Sequence, residues 1–220
     1  MTLKKELSFF EERQIICDAC NLFYSKGWVS GTGGGMTIKV NDTEALIAPS
    51  GVQKEQLKPE ELFLVKLQHN SHWGIEIIEK PENKKISACT SIFTNIYKER
   101  PEAKAIIHSH SINAALLTKI VKNKKVTFSK YEMLKGLQGG TYFGEHTVPI
   151  LNNVESECDL AEAVEQIVKE YPLSSAVLVR DHGVYIWGNS YQQAKVHAEC
   201  YDYLFEAFIE EQKLKALNLA

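Results

Sequence analysis

No stretch of the 220 residues approaches the ~20 consecutive apolar positions that a membrane-spanning helix needs. The opening segment, MTLKKELSFFEERQ, mixes Glu and Arg into its apolar residues and so does not read as a secretory signal. Basic clusters are also missing: 25 Lys and Arg stand against 28 Asp and Glu, a net charge of −3. A nucleic-acid binder would gather its cations on one face, so that class is set aside. The five cysteines (Cys17, Cys20, Cys89, Cys158, Cys200) are few, odd in number and scattered, which reads as reduced thiols in a cytoplasm. Cys17 and Cys20 form a C-x-x-C with no second pair, inside a helical pattern. Two half-buried helix cysteines are therefore expected there, not a zinc or redox site. Prolines number 6, and there is no Pro/Gly/Ser linker, repeat or low-complexity tract. One α/β domain over residues 1–220 is the expectation.

What is present suits such a domain. Hydrophobic residues make up 44% and charged residues 24%, and a chain of this length can bury roughly 70% of its unfolded surface. Residues 8–26 read as an amphipathic helix, with Ser8 and Glu11 as a capping box and Gly27 as the stop. GTGGG (31–35) precedes a strand-turn-strand, MTIKV to ALIA, and Pro49-Ser50-Gly51 breaks the second strand. FLVKL (63–67) and IEII (75–78) flank a polar loop containing His69 and His72. Helices are expected at 90–100, 111–121 and 157–170, with a short one at 130–136. The strands AKAIIH, VTF, TVPI, AVLVR and VYIW lie between and after them, and a long helix closes the chain from Ser190 to about Leu217. The early strand-turn-strand implies that part of the sheet is antiparallel.

His108 and His110 carry the sharpest local signal. Residues i and i+2 of a strand share a face, so His-Ser-His sets two imidazoles side by side. Such a pair binds a metal if a third ligand arrives from elsewhere; otherwise it is two polar residues on an exposed strand face. The buried run Ala105-Ile106-Ile107 counts against idle imidazoles at its end. His182 follows another apolar strand, in the turn Asp181-His182-Gly183, where strands give way to loops and binding groups concentrate. His146 and His197 are weaker candidates, and His197 falls on a helix stripe suited to a core role. The glycines of 31–35 can bring backbone N–H groups close to an anion, though a strand and not a helix follows them. Ser50-Gly51 and the helix start at Ser87, Cys89 and Thr90 can converge on the same anion. Glu132 is by itself unremarkable.

GTGGG, IAPSG, IYKERPEAKAIIHSHS and RDHGVYIWG occur in the order and spacing of the class II aldolase/adducin family, which the chain resembles from about residue 10 to 208. GWVSGTGGGMTIK, IAPSGVQKE, YEMLKG, AVLVRDHGVYIWG and ECYDYLF resemble more narrowly its dehydratase branch, which acts on a thioether-bearing ketose phosphate. The resemblance implies a three-layer α/β/α sandwich around a largely antiparallel, mixed central sheet, assembled as a homotetramer with active sites near subunit contacts. It implies one Zn2+ per subunit on His108, His110 and His182, and Glu132 as general acid/base. It places Cys89 against a sugar-phosphate substrate and Gly33, Gly34, Gly35, Ser50 and Gly51 at its phosphate.

The family's aldolases carry a catalytic glutamate in an S-S-E stretch, where this chain reads Ser87-Ala88-Cys89. A thiol with an ordinary pKa near ~8.5 does not replace a carboxylate near ~4.3 as proton shuttle, which counts against carbon–carbon cleavage. A non-catalytic interaction module, as in the adducin head, is the other alternative. The three intact histidines count against it.

Overall fold

The computed structural model describes residues 7–68 and 74–219, so His69 and His72 lie outside the described residues. Nine strands form one sheet: β1 Gly35–Lys39, β2 Glu44–Ile47, β3 Phe63–Leu67, β4 Ile75–Glu79, β5 Ala105–Ser109, β6 Lys125–Phe128, β7 His146–Leu151, β8 Ala176–Val179 and β9 Gly183–Gly188. Their order across the sheet is β4-β3-β2-β1-β5-β9-β8-β7-β6. Every neighbouring pair is antiparallel except β7 and β8, so the sheet is mixed and mostly antiparallel, as expected.

Strand alternation sorts the apolar residues onto two faces. Ile107, Leu178 and Ile186 face a core closed by α1 (Phe10–Ser25), α3 (Ile112–Ile120) and the long α5 (Tyr191–Ala216). Ile106, Val177, Tyr185 and Trp187 face a second core under α2 (Thr90–Glu99) and α4 (Ala161–Glu170). Both faces are covered, which gives the three-layer α/β/α architecture. Central strands buried on both sides read as continuous apolar runs, and β8 and β9 are buried along their whole length.

Two local expectations fail. The Ser8–Glu11 capping box does not form: α1 starts after Phe9, which is left-handed at φ 58° and gives no side-chain cap. Tertiary contacts take its parts instead. The Ser8 hydroxyl donates to Glu79 at 3.4 Å, and its carbonyl accepts from the buried Arg13, whose guanidinium also reaches Pro59 O, Leu62 O and Glu79. The segments expected as helices at 130–136 and at the start of 157–170 are 3₁₀ turns, Glu132–Gly136 and Glu157–Leu160, the second running straight into α4. Gly27 ends α1 as expected, at φ +72°. Cys17 and Cys20 are both buried on α1, deeper than half, and burial pushes each thiol up to about 12.

Candidate metal centre

The centre of the sheet delivers His108. It sits on β5 beside Tyr185 of β9, and the two rings stack in parallel on the face covered by α2 and α4. The His108 Nδ1–H donates to Val184 O at 3.2 Å, which fixes the ring and leaves Nε2 as the bare nitrogen. His110 follows the strand, placed by its backbone N–H on Trp28 O at 2.7 Å.

His182 comes from the β8–β9 turn. Asp181 adopts a left-handed φ of 57°, and the His182 N–H returns to Val179 O. Arg180 anchors the turn by donating to Thr118 O, Val121 O and Asn123 O around the carbonyl end of α3. The His182 Nδ1–H donates to the Asn153 side-chain oxygen at 3.3 Å, so Nε2 again points inward.

The glycine loop wraps this cluster. A Cβ on Gly33 would lie 2.4 Å from His110 Nδ1, and Gly34, at φ +67°, lets the loop pass the His108 carbonyl. Lys54, almost wholly buried, donates to Thr32 O at 3.1 Å and braces the loop from behind. Ser50 bridges to Lys85 through its backbone, and Gly51 is left-handed at φ +69° in open space.

Three Nε2 atoms and one carboxylate oxygen meet at one point. His110 Nε2 lies 2.9 Å from His108 Nε2 and 3.0 Å from His182 Nε2. Glu157 Oε1 lies 3.2 Å from His108 Nε2 and 3.1 Å from His182 Nε2. Burial lowers the pKa of His108, and burial together with its two imidazole neighbours lowers that of His110 to about 3, so both are neutral at physiological pH. The Nε2 of His108, whose other nitrogen is bonded to Val184 O, then faces the Glu157 carboxylate oxygen, two acceptors that repel unless a cation sits between them. A tetrahedral ion with bonds of about 2.0–2.1 Å sets its ligand atoms ~3.3 Å apart, close to these separations. The donor set of nitrogens and oxygen fits a divalent metal. Among the described residues this is the one His/Cys/Asp/Glu cluster so arranged.

Cys89 lies beside the cluster at the start of α2. It is buried, its thiol is pushed up to about 12 by burial and by Glu157, and it donates to Glu157 Oε2 at 3.3 Å. Glu132 does not join. Its side chain is exposed, paired with Lys135 at 2.8 Å, in a turn that packs Gly136 against Cys200 of α5. His146 and His197 are buried in the core, bonded to the Tyr201 hydroxyl and Trp187 O. Glu157 and Tyr185 are the residues that sequence reasoning missed. Glu157 stands in Asn-Asn-Val-Glu-Ser-Glu, with no local pattern to separate it from Glu155.

Residues 14–209 match the model of the class II aldolase and adducin N-terminal domain, and the chain belongs to this family. Within it, the chain belongs with the methylthioribulose-1-phosphate dehydratases. It is 43% identical over 206 residues to the chicken (Gallus gallus) protein of that name, covering 90% of this chain and 82% of the relative. It is 42% identical over 221 residues to a probable methylthioribulose-1-phosphate dehydratase of Drosophila melanogaster, covering 97% and 94%. The L-fuculose-1-phosphate aldolase of Thermus thermophilus superposes with a TM-score of 0.68 at 21% identity, over 94% of this chain and 99% of that one, which speaks for the fold alone.

Proposed function

We propose that this chain dehydrates 5-methylthioribulose 1-phosphate to 2,3-diketo-5-methylthiopentyl 1-phosphate, the hydro-lyase step of methionine salvage. The observation that carries the reading is the convergence of the Nε2 atoms of His108, His110 and His182, set in a chain similar along its length to dehydratases of that name. Held by the three imidazoles, Zn2+ would leave room for substrate and would supply Lewis acidity to the substrate ketone.

The remaining work falls to the protein. The hydrogen on the carbon beside the ketone leaves as a proton, and the hydroxyl one carbon further on departs with a proton as water. Glu132 is the residue assigned to move these protons. Its exposure, beside Lys135 and outside the cluster of its own subunit, suits a homotetramer in which it reaches the centre of a neighbouring copy. Cys89, held as a neutral thiol, packs beside the substrate and not as a base. Gly33, Gly34, Gly35, Ser50 and Gly51 line the loop assigned to the phosphate, with backbone N–H groups as donors. No described helix is long and apolar enough to cross a membrane, and a cytoplasmic enzyme fits its reduced cysteines.

Incubating the purified, zinc-loaded protein with 5-methylthioribulose 1-phosphate and following formation of the diketone tests the reading. Turnover supports it. Absence of turnover, with the metal bound and the protein folded, overturns it.

A further inference from the structure

We propose that Glu157 is a fourth protein ligand of the metal held by His108, His110 and His182, with its second oxygen clamped by the Cys89 thiol. The inference rests on the metal reading above and extends it to a residue outside the three histidines.

The geometry separates the two carboxylate oxygens. Oε2 accepts the thiol hydrogen of the buried Cys89 at 3.3 Å. Oε1 points into the cage, within 3.2 Å of two Nε2 atoms, and the Tyr185 hydroxyl donates to it at 3.5 Å. His108 gives its Nδ1–H to Val184 O and His182 gives its own to the Asn153 side-chain oxygen, so in each ring Nε2 is the nitrogen turned toward Oε1. Oε1 thus shares one point with the three imidazole nitrogens, all four atoms lying within 4.8 Å of one another.

The charge balance points the same way. Among the described residues, the only ion-pairing contacts of Glu157 are these two imidazoles, and no Lys or Arg approaches it. A part-buried carboxylate without a cation is costly. A divalent ion at the point of convergence would take all four atoms as ligands and would accept substrate as a fifth, and the Cys89 thiol fixes the carboxylate's orientation as a supporting partner.

The carboxylate also arrives from a different layer than the glycine loop. His108, Cys89 and Glu157 meet on the face of the sheet covered by α2 and α4. Cys89 comes from the start of α2 and Glu157 from the turn leading into α4. A longer acid at position 89 would project into the space that the Glu157 carboxylate now fills.

The test measures metal, not turnover. Zn2+ affinity is measured by competition with a chromophoric chelator, and the absorption spectrum of the Co2+-loaded protein is recorded. The wild type is compared with Glu157→Gln, Glu157→Ala, the relocated pair Cys89→Glu/Glu157→Ala, and His110→Ala, with circular dichroism of each metal-free protein as the folding control. Glu157→Gln, which keeps the shape, is expected to weaken Zn2+ binding by at least ~10–100-fold, the scale for losing even a supporting partner, and to alter the Co2+ bands. The relocated pair is expected to bind Zn2+ more tightly than Glu157→Ala. Wild-type affinity and an unchanged Co2+ spectrum in Glu157→Gln, with His110→Ala impaired, overturn the assignment of Glu157 alone. Unimpaired binding in His110→Ala as well overturns the metal centre itself.

Discussion

The imidazole of His108 lies flat on the phenol of Tyr185, with ring centroids 4.0 Å apart and planes 5° from parallel. This cross-strand pair joins the metal-binding edge of β5 to the middle of β9, so one buried aromatic supports both the core and the cage. Tyr185→Phe keeps the stack and loses the hydroxyl's contacts to Glu157 and the Cys89 thiol, so stability is expected to fall by about 1 kcal/mol. Tyr185→Ala removes the stack and leaves a cavity, with an expected loss of about 3–5 kcal/mol and weaker Zn2+ binding. Urea unfolding of the metal-free proteins measures the first quantity. Equal stability of the alanine variant and the wild type would show that the pair is not a packing element.

Gly33 has a steric duty distinct from any contact with phosphate. A Cβ there would press on His110 Nδ1 at 2.4 Å, and the ring would have to turn away from the cage. Gly33→Ala is expected to weaken Zn2+ binding by roughly tenfold or more, the scale of disturbed ligand support, with a small change in melting temperature. Unchanged Zn2+ affinity would mean that the loop yields and the imidazole does not.

His146 offers a pH test away from the cage. Burial lowers its pKa from 6.5 to about 4, with the nearby His197 adding to the effect. Between those values the unfolded chain binds a proton that the folded chain refuses, so stability falls as pH drops from 6.5 towards 4 and is fully present above 6.5. The contribution is of order 3 kcal/mol, at ~1.4 kcal/mol per pH unit. His146→Gln keeps a donor for the Tyr201 hydroxyl and cannot titrate. Its unfolding free energy in the metal-free protein is expected to vary less steeply with pH over this window. Parallel profiles for the two proteins would contradict the assignment.

Glu132→Gln keeps the shape of the side chain and cannot exchange the proton. A loss of about 10²–10⁴ in kcat with normal zinc content is expected. Because Glu132 is exposed and apart from the cage of its own subunit, mixing Glu132→Gln with His110→Ala subunits is expected to restore part of the activity, through centres that combine one intact cage with one intact Glu132. Complete inactivity of properly assembled mixed oligomers would place Glu132 outside any neighbouring site.

The legible parts of this chain were those with short-range causes. Apolar runs such as FLVKL and AVLV gave strands at the expected places, because a strand buried on both faces needs nothing beyond its own composition. The His-Ser-His spacing likewise announced two imidazoles at a strand end. The capping box at Ser8 failed because Arg13 and Glu79, 66 residues apart, claim the groups a local rule would assign to the helix start. Glu157 was illegible for the same reason. Its partner Cys89 is 68 residues away, and only the layering of α2 and α4 on one face of the sheet makes them neighbours. Glu132 is assigned from family pattern alone, and the fold pairs it with Lys135 on the surface.

The most direct test of the central claim is the rate of diketone formation from 5-methylthioribulose 1-phosphate, measured against bound Zn2+ in wild-type and His110→Ala protein. Turnover that rises in proportion to one Zn2+ per subunit in the wild type, and is lost together with the metal in His110→Ala, is the expected result. Undiminished turnover in metal-free His110→Ala protein would contradict it.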